Sequence, residues 1–409
     1  MKEYTWDGKS KIPETADILY TQEYFDSEIA IGSIPDNITG IYLGFDFNQK
    51  LGIGVFPKNL LYLELGTSYT AELDIGVFPE TLINLDLGKY YNHRITRELL
   101  PNNLKTLSFS RKYSHPISRE MFPESLIELY LPKITAELTI MSFPRYLETL
   151  SLGNDYNIPI SQDMFPDTLK KLILGNKYNQ PFGENSLPRN LQSLIMGCEY
   201  NCPIYSKCLP ETITFLFLHG TYNQKMDKNT LPKNLTSLYI ASSYTHELSA
   251  DIFPKSLREF GMNYRYSYPI TSTTLPKNLT ELHLPNNYIY DIDFSALPDS
   301  IEHLHMGRGN NVDINKIPSQ LKYFYIFDGH VLDILNLMPQ PLNYQIVYRC
   351  FSSNMKILDI KMPLLVNDWI ELHEKYQVIG KETIGEYAYN VIINPETYVY
   401  PTRAKSARK

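Results

Sequence analysis

The chain has 409 residues, a formal net charge of -7, 43% hydrophobic residues and 20% charged ones. An acidic balance excludes a general binder of nucleic acid or anionic membrane, which needs a basic field. No apolar run approaches the ~18 residues of a membrane span, and residues 1–13 (MKEYTWDGKSKIP) lack a signal-peptide core, so a cytoplasmic protein with reduced thiols is expected. Among the four cysteines, Cys198, Cys202 and Cys208 fall in one stretch without the paired spacing of a zinc site.

In chain order, residues 1–12 are expected to form an N-terminal cap, with Trp6 over the open end of the core. From Pro13 a proline recurs every 22 residues through Pro35, Pro57, Pro79, Pro101 and Pro123, and again from Pro144 through Pro166, Pro188, Pro210, Pro232, Pro254 and Pro276 to Pro298. The spacing is 21 after Pro123 and 20 after Pro298, and the series closes at Pro318 and Pro339. A short fixed period of this kind means stacked supersecondary units, each touching only its neighbours.

With each proline as position zero, position -1 is large and apolar (Phe56, Phe78, Phe165) and position +2 small and polar (Asn59, Thr81, Ser125), which is turn chemistry. Positions +3, +6 and +8 are apolar, as in Leu60, Leu63 and Leu65 or Leu169, Leu172 and Leu174. The +6/+8 alternation marks a short strand with one face inward. Glycine at +9 (Gly66, Gly88, Gly175) is expected to let the backbone turn off the strand. Tyrosine stands at +12 in ten repeats between Tyr69 and Tyr288, expected as a ladder of core aromatics with hydroxyls satisfied at the edge. The proline-marked return segments should be extended or irregular. Three sequons, at Asn37, Asn234 and Asn278, occupy equivalent repeat positions and read as turn residues.

The pattern proline-x-x-leucine-x-x-leucine-x-leucine-glycine-x-x-tyrosine-asparagine, closing on phenylalanine before the next proline, resembles the FNIP repeat, a leucine-rich-repeat relative of social amoebae and their giant viruses. Residues 169–179 (LKKLILGNKYN) come close to its consensus. The resemblance implies a leucine-rich-repeat-like solenoid over residues 13–340, about 14–15 coils with one long parallel β-sheet. Some members carry an N-terminal F-box; with the repeat phase starting by Pro13, none is expected here. The Asn-, Ile-, Lys- and Tyr-rich composition fits an AT-rich genome, amoebal or viral.

Beyond Pro339 the phase breaks down. Residues 341–401 read as a small α+β C-terminal cap: strands at Tyr344–Phe351 and Met355–Ile360, a helix at Leu364–Tyr376 carrying Trp369, and extended segments at Tyr387–Ile393 and Thr397–Tyr400. Residues 402–409 (TRAKSARK) read as a disordered basic tail.

Strand alternation sends positions +5 and +7 outward. These columns are polar in the first half, as at Tyr62, Glu64, Asn84 and Asp86. From Ile173 they turn apolar and aromatic: Ile173, Ile195, Phe215, Phe217 and Tyr239, which read as a partner-binding patch. Further on, Glu281, His283, His303 and His305 outline a small rectangle, followed by Tyr323 and Tyr325. Imidazoles beside a carboxylate can ligate zinc, but outward histidines on a wet sheet are ordinary surface groups. His283, His303, His305, Tyr323 and Tyr325 are therefore read as partner contacts, with no metal or cofactor assigned.

No phosphate loop, serine elbow or His-Glu-x-x-His motif occurs, so no enzymatic activity is expected. The expected function is a protein–protein interaction scaffold whose partner, an unidentified protein, seats on the outer sheet face. The alternative is a structural, self-assembling repeat protein.

Overall fold

The protein is described from a computed structural model, which covers residues 2–133, 138–240, 244–262, 266–285, 288–307 and 321–323 with side chains, and beyond them the strand backbone at 324–327, 345–349, 359–360, 383–384 and 387–388. The expected helix at Leu364–Tyr376, the segment Thr397–Tyr400 and the basic tail lie outside the described residues. The chain forms two units, Met1–Leu235 and Thr236–Lys409.

Each coil starts at its proline. Fixed φ at proline sets up a tight turn in which the +3 amide donates back to the proline carbonyl: Leu60 to Pro57 at 3.2 Å, Leu82 to Pro79 at 3.0 Å, Leu169 to Pro166 at 3.1 Å. A strand of three or four residues follows, and its +6 leucine points inward.

In the first unit these strands are β1 (Glu3–Trp6), β2 (Ile18–Thr21), β3 (Gly40–Tyr42), β4 (Tyr62–Glu64), β5 (Asn84–Asp86), β6 (Thr106–Ser108), β7 (Glu128–Tyr130), β8 (Thr149–Ser151), β9 (Lys171–Ile173), β10 (Ser193–Ile195) and β11 (Phe215–Leu218). Sequential neighbours pair in parallel, so Leu63, Leu85, Leu107, Leu129, Leu150, Leu172, Leu194 and Leu216 stand directly beside one another. All are buried. The 21-residue step from Leu129 to Leu150 keeps the register, so the missing residue is taken up outside the strands. β1 joins the same sheet, and Trp6, 3% exposed, lies against Phe25.

The second unit holds β12 (Ser237–Ile240), β13 (Glu259–Met262), β14 (Glu281–His283), β15 (His303–His305), β16 (Tyr323–Phe327) and β17 (Gln345–Arg349), again parallel, with β18 (Asp359–Ile360) antiparallel to β17. A short hairpin joins Thr383–Ile384 to Tyr387–Ala388. Among the described residues the return segments hold only single turns of 3-10 helix, such as Arg119–Met121 and Phe294–Ala296.

Polar ladders tie coil to coil. The +2 side chains do more than shape turns: Asn59 donates to the Asp36 carbonyl at 3.1 Å, Asn103 to Glu80 at 2.9 Å and Asn190 to Asp167 at 2.9 Å. All three sequon asparagines do the same, Asn37 to Ala16 at 2.6 Å, Asn234 to Glu211 at 2.9 Å and Asn278 to Lys255 at 3.3 Å. One step past the tyrosine column, the Asn157 side-chain oxygen accepts the Asn179 amide at 2.9 Å, Asn179 accepts Asn201 at 2.9 Å, and Asn201 accepts Asn223 at 2.8 Å.

The tyrosines stack as a ladder. Ring centroids from Tyr156 to Tyr178, Tyr200 and Tyr222 are 6.4, 6.2 and 6.1 Å apart with nearly parallel planes. Their hydroxyls are not at an edge. Three reach the preceding coil, where Tyr113 accepts the Ile95 amide at 3.2 Å, Tyr266 that of Leu248 at 3.0 Å and Tyr288 that of Ile270 at 2.7 Å. The buried hydroxyls of Tyr69, Tyr91, Tyr178 and Tyr200 make no hydrogen bond among the described residues. Burial pushes the Tyr91 and Tyr288 hydroxyls up to about 12.

The +9 glycines also act differently from the expectation. A Cβ on Gly175 would lie 2.0 Å from the Gly153 carbonyl oxygen, and one on Gly197 1.9 Å from that of Gly175. Glycine is needed because adjacent coils approach here, more than because the chain bends. Of the +9 glycines Gly88 has the expected left-handed backbone, φ +70°, but the recurring left-handed turn sits at +19, at Gly32, Gly54 and Gly76 and then at Asp163, Asn185, Lys207 and Asn229.

Candidate functional site

In the first unit the outward apolar column is built as the alternation requires. Lys171, Ser193 and Phe215 pair across β9, β10 and β11, as do Ile173, Ile195 and Phe217. Ile173, Ile195, Phe215 and Phe217 are all half-buried, while the leucines between them are fully buried. Three exposed isoleucines escaped the sequence reading: Ile31 (72%), Ile53 (60%) and Ile75 (62%), each just before a +19 glycine in consecutive coils. Their signal was the repeated Ile-Gly pair at one repeat position.

A groove of about 520 Å³ crosses three return turns, lined in part by Asp163, Asp167, Arg189 and Glu211. Its Asp167–Arg189 pair, 2.6 Å apart, is largely exposed, so this is a wet charged groove rather than an enclosed reaction chamber.

The second unit carries a connected group of polar and aromatic side chains. Tyr239, at the +7 position of β12, pairs with Gly261 on β13, and Gly261 with His283 on β14. A Cβ on Gly261 would lie 2.3 Å from Cδ1 of Tyr239, so the tyrosine ring occupies the space the glycine leaves. It thereby crosses β13, hydrogen-bonds Glu259 and brings its hydroxyl 3.3 Å from Nε2 of His283. Glu281 is shared: its Oε1 accepts from Nε2 of His283 at 3.0 Å and from Nε2 of His305 at 2.9 Å. The two imidazoles stack, centroids 3.7 Å apart and 11° from parallel.

Burial alone would raise the Glu281 carboxyl, but the hydrogen bonds from His283 and His305 hold it far below the ordinary carboxylate range. Burial likewise opposes charge on Glu259, yet His283, Tyr239 and Ser237 hold it low. Burial would lower His283; its bonds to Glu259 and Glu281 outweigh this and raise it. Protonated His283 between two carboxylates is the consistent charge state.

The rectangle expected from the sequence is redrawn. His303 turns away and stacks on Tyr323, centroids 4.6 Å apart. Glu259, unremarked in the sequence, joins the group from β13, on the other side of Glu281, 3.8 Å from His283. His305 is 3% exposed and so is no surface contact: its ring lies against His283 and its nitrogen is engaged by Glu281. The side chain of Tyr325 lies outside the described residues. What the sequence did carry was Gly261, the one small residue in the column between Ile173 and His305, which makes room for Tyr239.

Parallel coils of about 22 residues, each presenting a leucine from a three-residue strand, define a leucine-rich-repeat-like solenoid. The FNIP repeat pattern matches at residues 47–90, 91–133, 136–177, 178–221, 222–264 and 266–309, well over half the chain, which therefore belongs to the FNIP repeat family. Among solved structures, the giant-virus protein CroV588, a circular leucine-rich-repeat protein, is 26% identical with a TM-score of 0.57 over 77% of this chain. The chain spans about half, 53%, of CroV588. YopM of Yersinia enterocolitica (20% identity, TM-score 0.38, 76% of this chain and 64% of YopM) and an internalin, InlF, of Listeria monocytogenes (16%, 0.38, 70% and 82%) are more distant likenesses. No curated protein matches the chain. Among the described residues no helix is long and apolar enough to cross a membrane.

Proposed function

We propose that this chain is a non-enzymatic protein-interaction scaffold whose partner protein seats on the outward sheet face of β9 to β11. Repeat folds of this type typically serve as interaction scaffolds. The observation that carries the reading is the register of Ile173, Ile195 and Phe217, with Phe215 beside them, on a face where packing calls for no apolar residue. Phe215→Ser combined with Phe217→Ser should leave the melting temperature nearly unchanged and abolish recovery of partner from amoebal lysate. Unfolding of that variant would show that the rings belong to the core and defeat the proposal. Sedimentation of the purified chain distinguishes self-assembly: association at micromolar concentration that the double variant removes would make the partner a second copy.

A further inference from the structure

We propose that Glu281, His283 and His305 bind one divalent transition-metal ion of the zinc type, with Glu259 and Tyr239 orienting the site. One donor atom from each of Glu281, His283 and His305 lies within 4.8 Å of the other two, and Oε1 of Glu281 is 3.0 and 2.9 Å from the Nε2 atoms of His283 and His305. Zinc holds nitrogen and carboxylate oxygen at ~2.0–2.2 Å in tetrahedral geometry, which puts neighbouring donors about 3.3 Å apart. The imidazole lone pairs lie in ring planes 11° from parallel with centroids 3.7 Å apart. The ion is therefore held when the His283 ring turns out of the stack and aims its Nε2 at the point that Glu281 and His305 face. Two imidazoles and a carboxylate are the borderline donors zinc prefers, and three protein ligands leave a fourth position open.

The supports are already in place. His305 is buried with its Nε2 held 2.9 Å from Glu281, so this donor is fixed before any ion arrives and the more exposed His283 ring is the one that turns. Parallel pairing fixes Glu281 opposite His303 and His283 opposite His305, which sets the ligand spacing by backbone register rather than by a mobile loop. Glu259, 3.8 Å from Nε2 of His283 and hydrogen-bonded by Tyr239, adds the second carboxylate needed to neutralise a divalent charge. Metal ligation needs an unprotonated Nε2 on each imidazole, so an ion competes with the protons these nitrogens share with Glu281 and binding must weaken as pH falls.

The test is calorimetric titration of the full-length chain with zinc chloride under reducing conditions, repeated with Glu281→Gln and with His283→Gln. One zinc per chain at micromolar or tighter affinity is expected, weakened at least ~10–100-fold in each variant. A background carrying Cys198→Ser and Cys202→Ser should bind as the parent does. Both test positions are outward and partly exposed, and melting curves verify folding; a zinc-dependent rise in melting temperature in the parent, absent in a variant that remains folded, is the independent readout. No saturable binding at ~100 μM zinc, binding unaffected by both Glu281→Gln and His283→Gln, or binding lost only with the cysteines would overturn the assignment.

Discussion

The ring of Tyr239 lies over Gly261 on the neighbouring strand, in the volume a Cβ there would fill. That placement carries its hydroxyl across β13 to Glu259 and His283. Gly261→Ala should push the ring aside, because a terminal aromatic yields more readily than backbone. Stability should change by under about 1 kcal/mol, whereas the His283 imidazole should titrate closer to an ordinary histidine by NMR. An unshifted titration would mean that Tyr239 does not shape the cluster.

The same cluster sets a pH dependence in chelator-treated protein. Glu259 and Glu281 are depressed when folded, so their contribution is complete above their ordinary value of 4.5 and is lost as acid reaches the folded values. His283 is raised, so its contribution is complete below 6.5 and is lost as pH climbs through its folded value. The groups facing it are Glu281 on its own strand, Glu259 on β13, His305 on β15 and the Tyr239 hydroxyl. Denaturant melts should show the cluster's support greatest between about pH 4.5 and 6.5, with the alkaline decline removed by His283→Gln. A parent and variant of identical pH profile would refute this charge assignment.

Leu172 is fully buried in the central column, and Thr149 stands on the outward face of the preceding strand. Leu172→Ala should cost roughly 2–5 kcal/mol through lost transfer energy and a cavity, Thr149→Ala under about 0.5 kcal/mol. Urea melts yielding equal losses would contradict the inward and outward faces described here.

Two glycines separate close approach from chain freedom. At Gly175 a methyl group would meet the Gly153 carbonyl at 2.0 Å, and a backbone oxygen cannot swing aside; at Gly52 nothing lies within 4 Å. Gly175→Ala should therefore cost about 2 kcal/mol or more, and Gly52→Ala should be neutral or stabilising by up to about 1 kcal/mol. The comparison fails if the two melts shift alike.

The stack was legible because every coil repeats the same contacts, so Pro57, Leu63, Gly66 and Tyr69 each announce a position many times over. Positions whose chemistry varies were not legible. The left-handed +19 site is held by glycine, aspartate, asparagine and lysine, so only backbone angles reveal it. The charged cluster was half legible: alternation placed Glu281, His283 and His305 on one face, but rotamers decided that His303 pairs with Tyr323 and that Glu259 takes part. Period-two reasoning assigns a face and says nothing of the diagonal contacts made across it.

The asparagine ladder has an evolutionary consequence. Asn157, Asn179 and Asn201 each offer the same oxygen to the same amide one coil later. A deletion of residues 180–201 would present the Asn223 amide to Asn179 with no bond left over, and a duplicated coil would find its acceptor ready-made. Unequal crossing-over can thus lengthen or shorten this gene by whole 22-residue modules without a compensating mutation, whereas a gain or loss of a single residue within a strand would break every ladder at once.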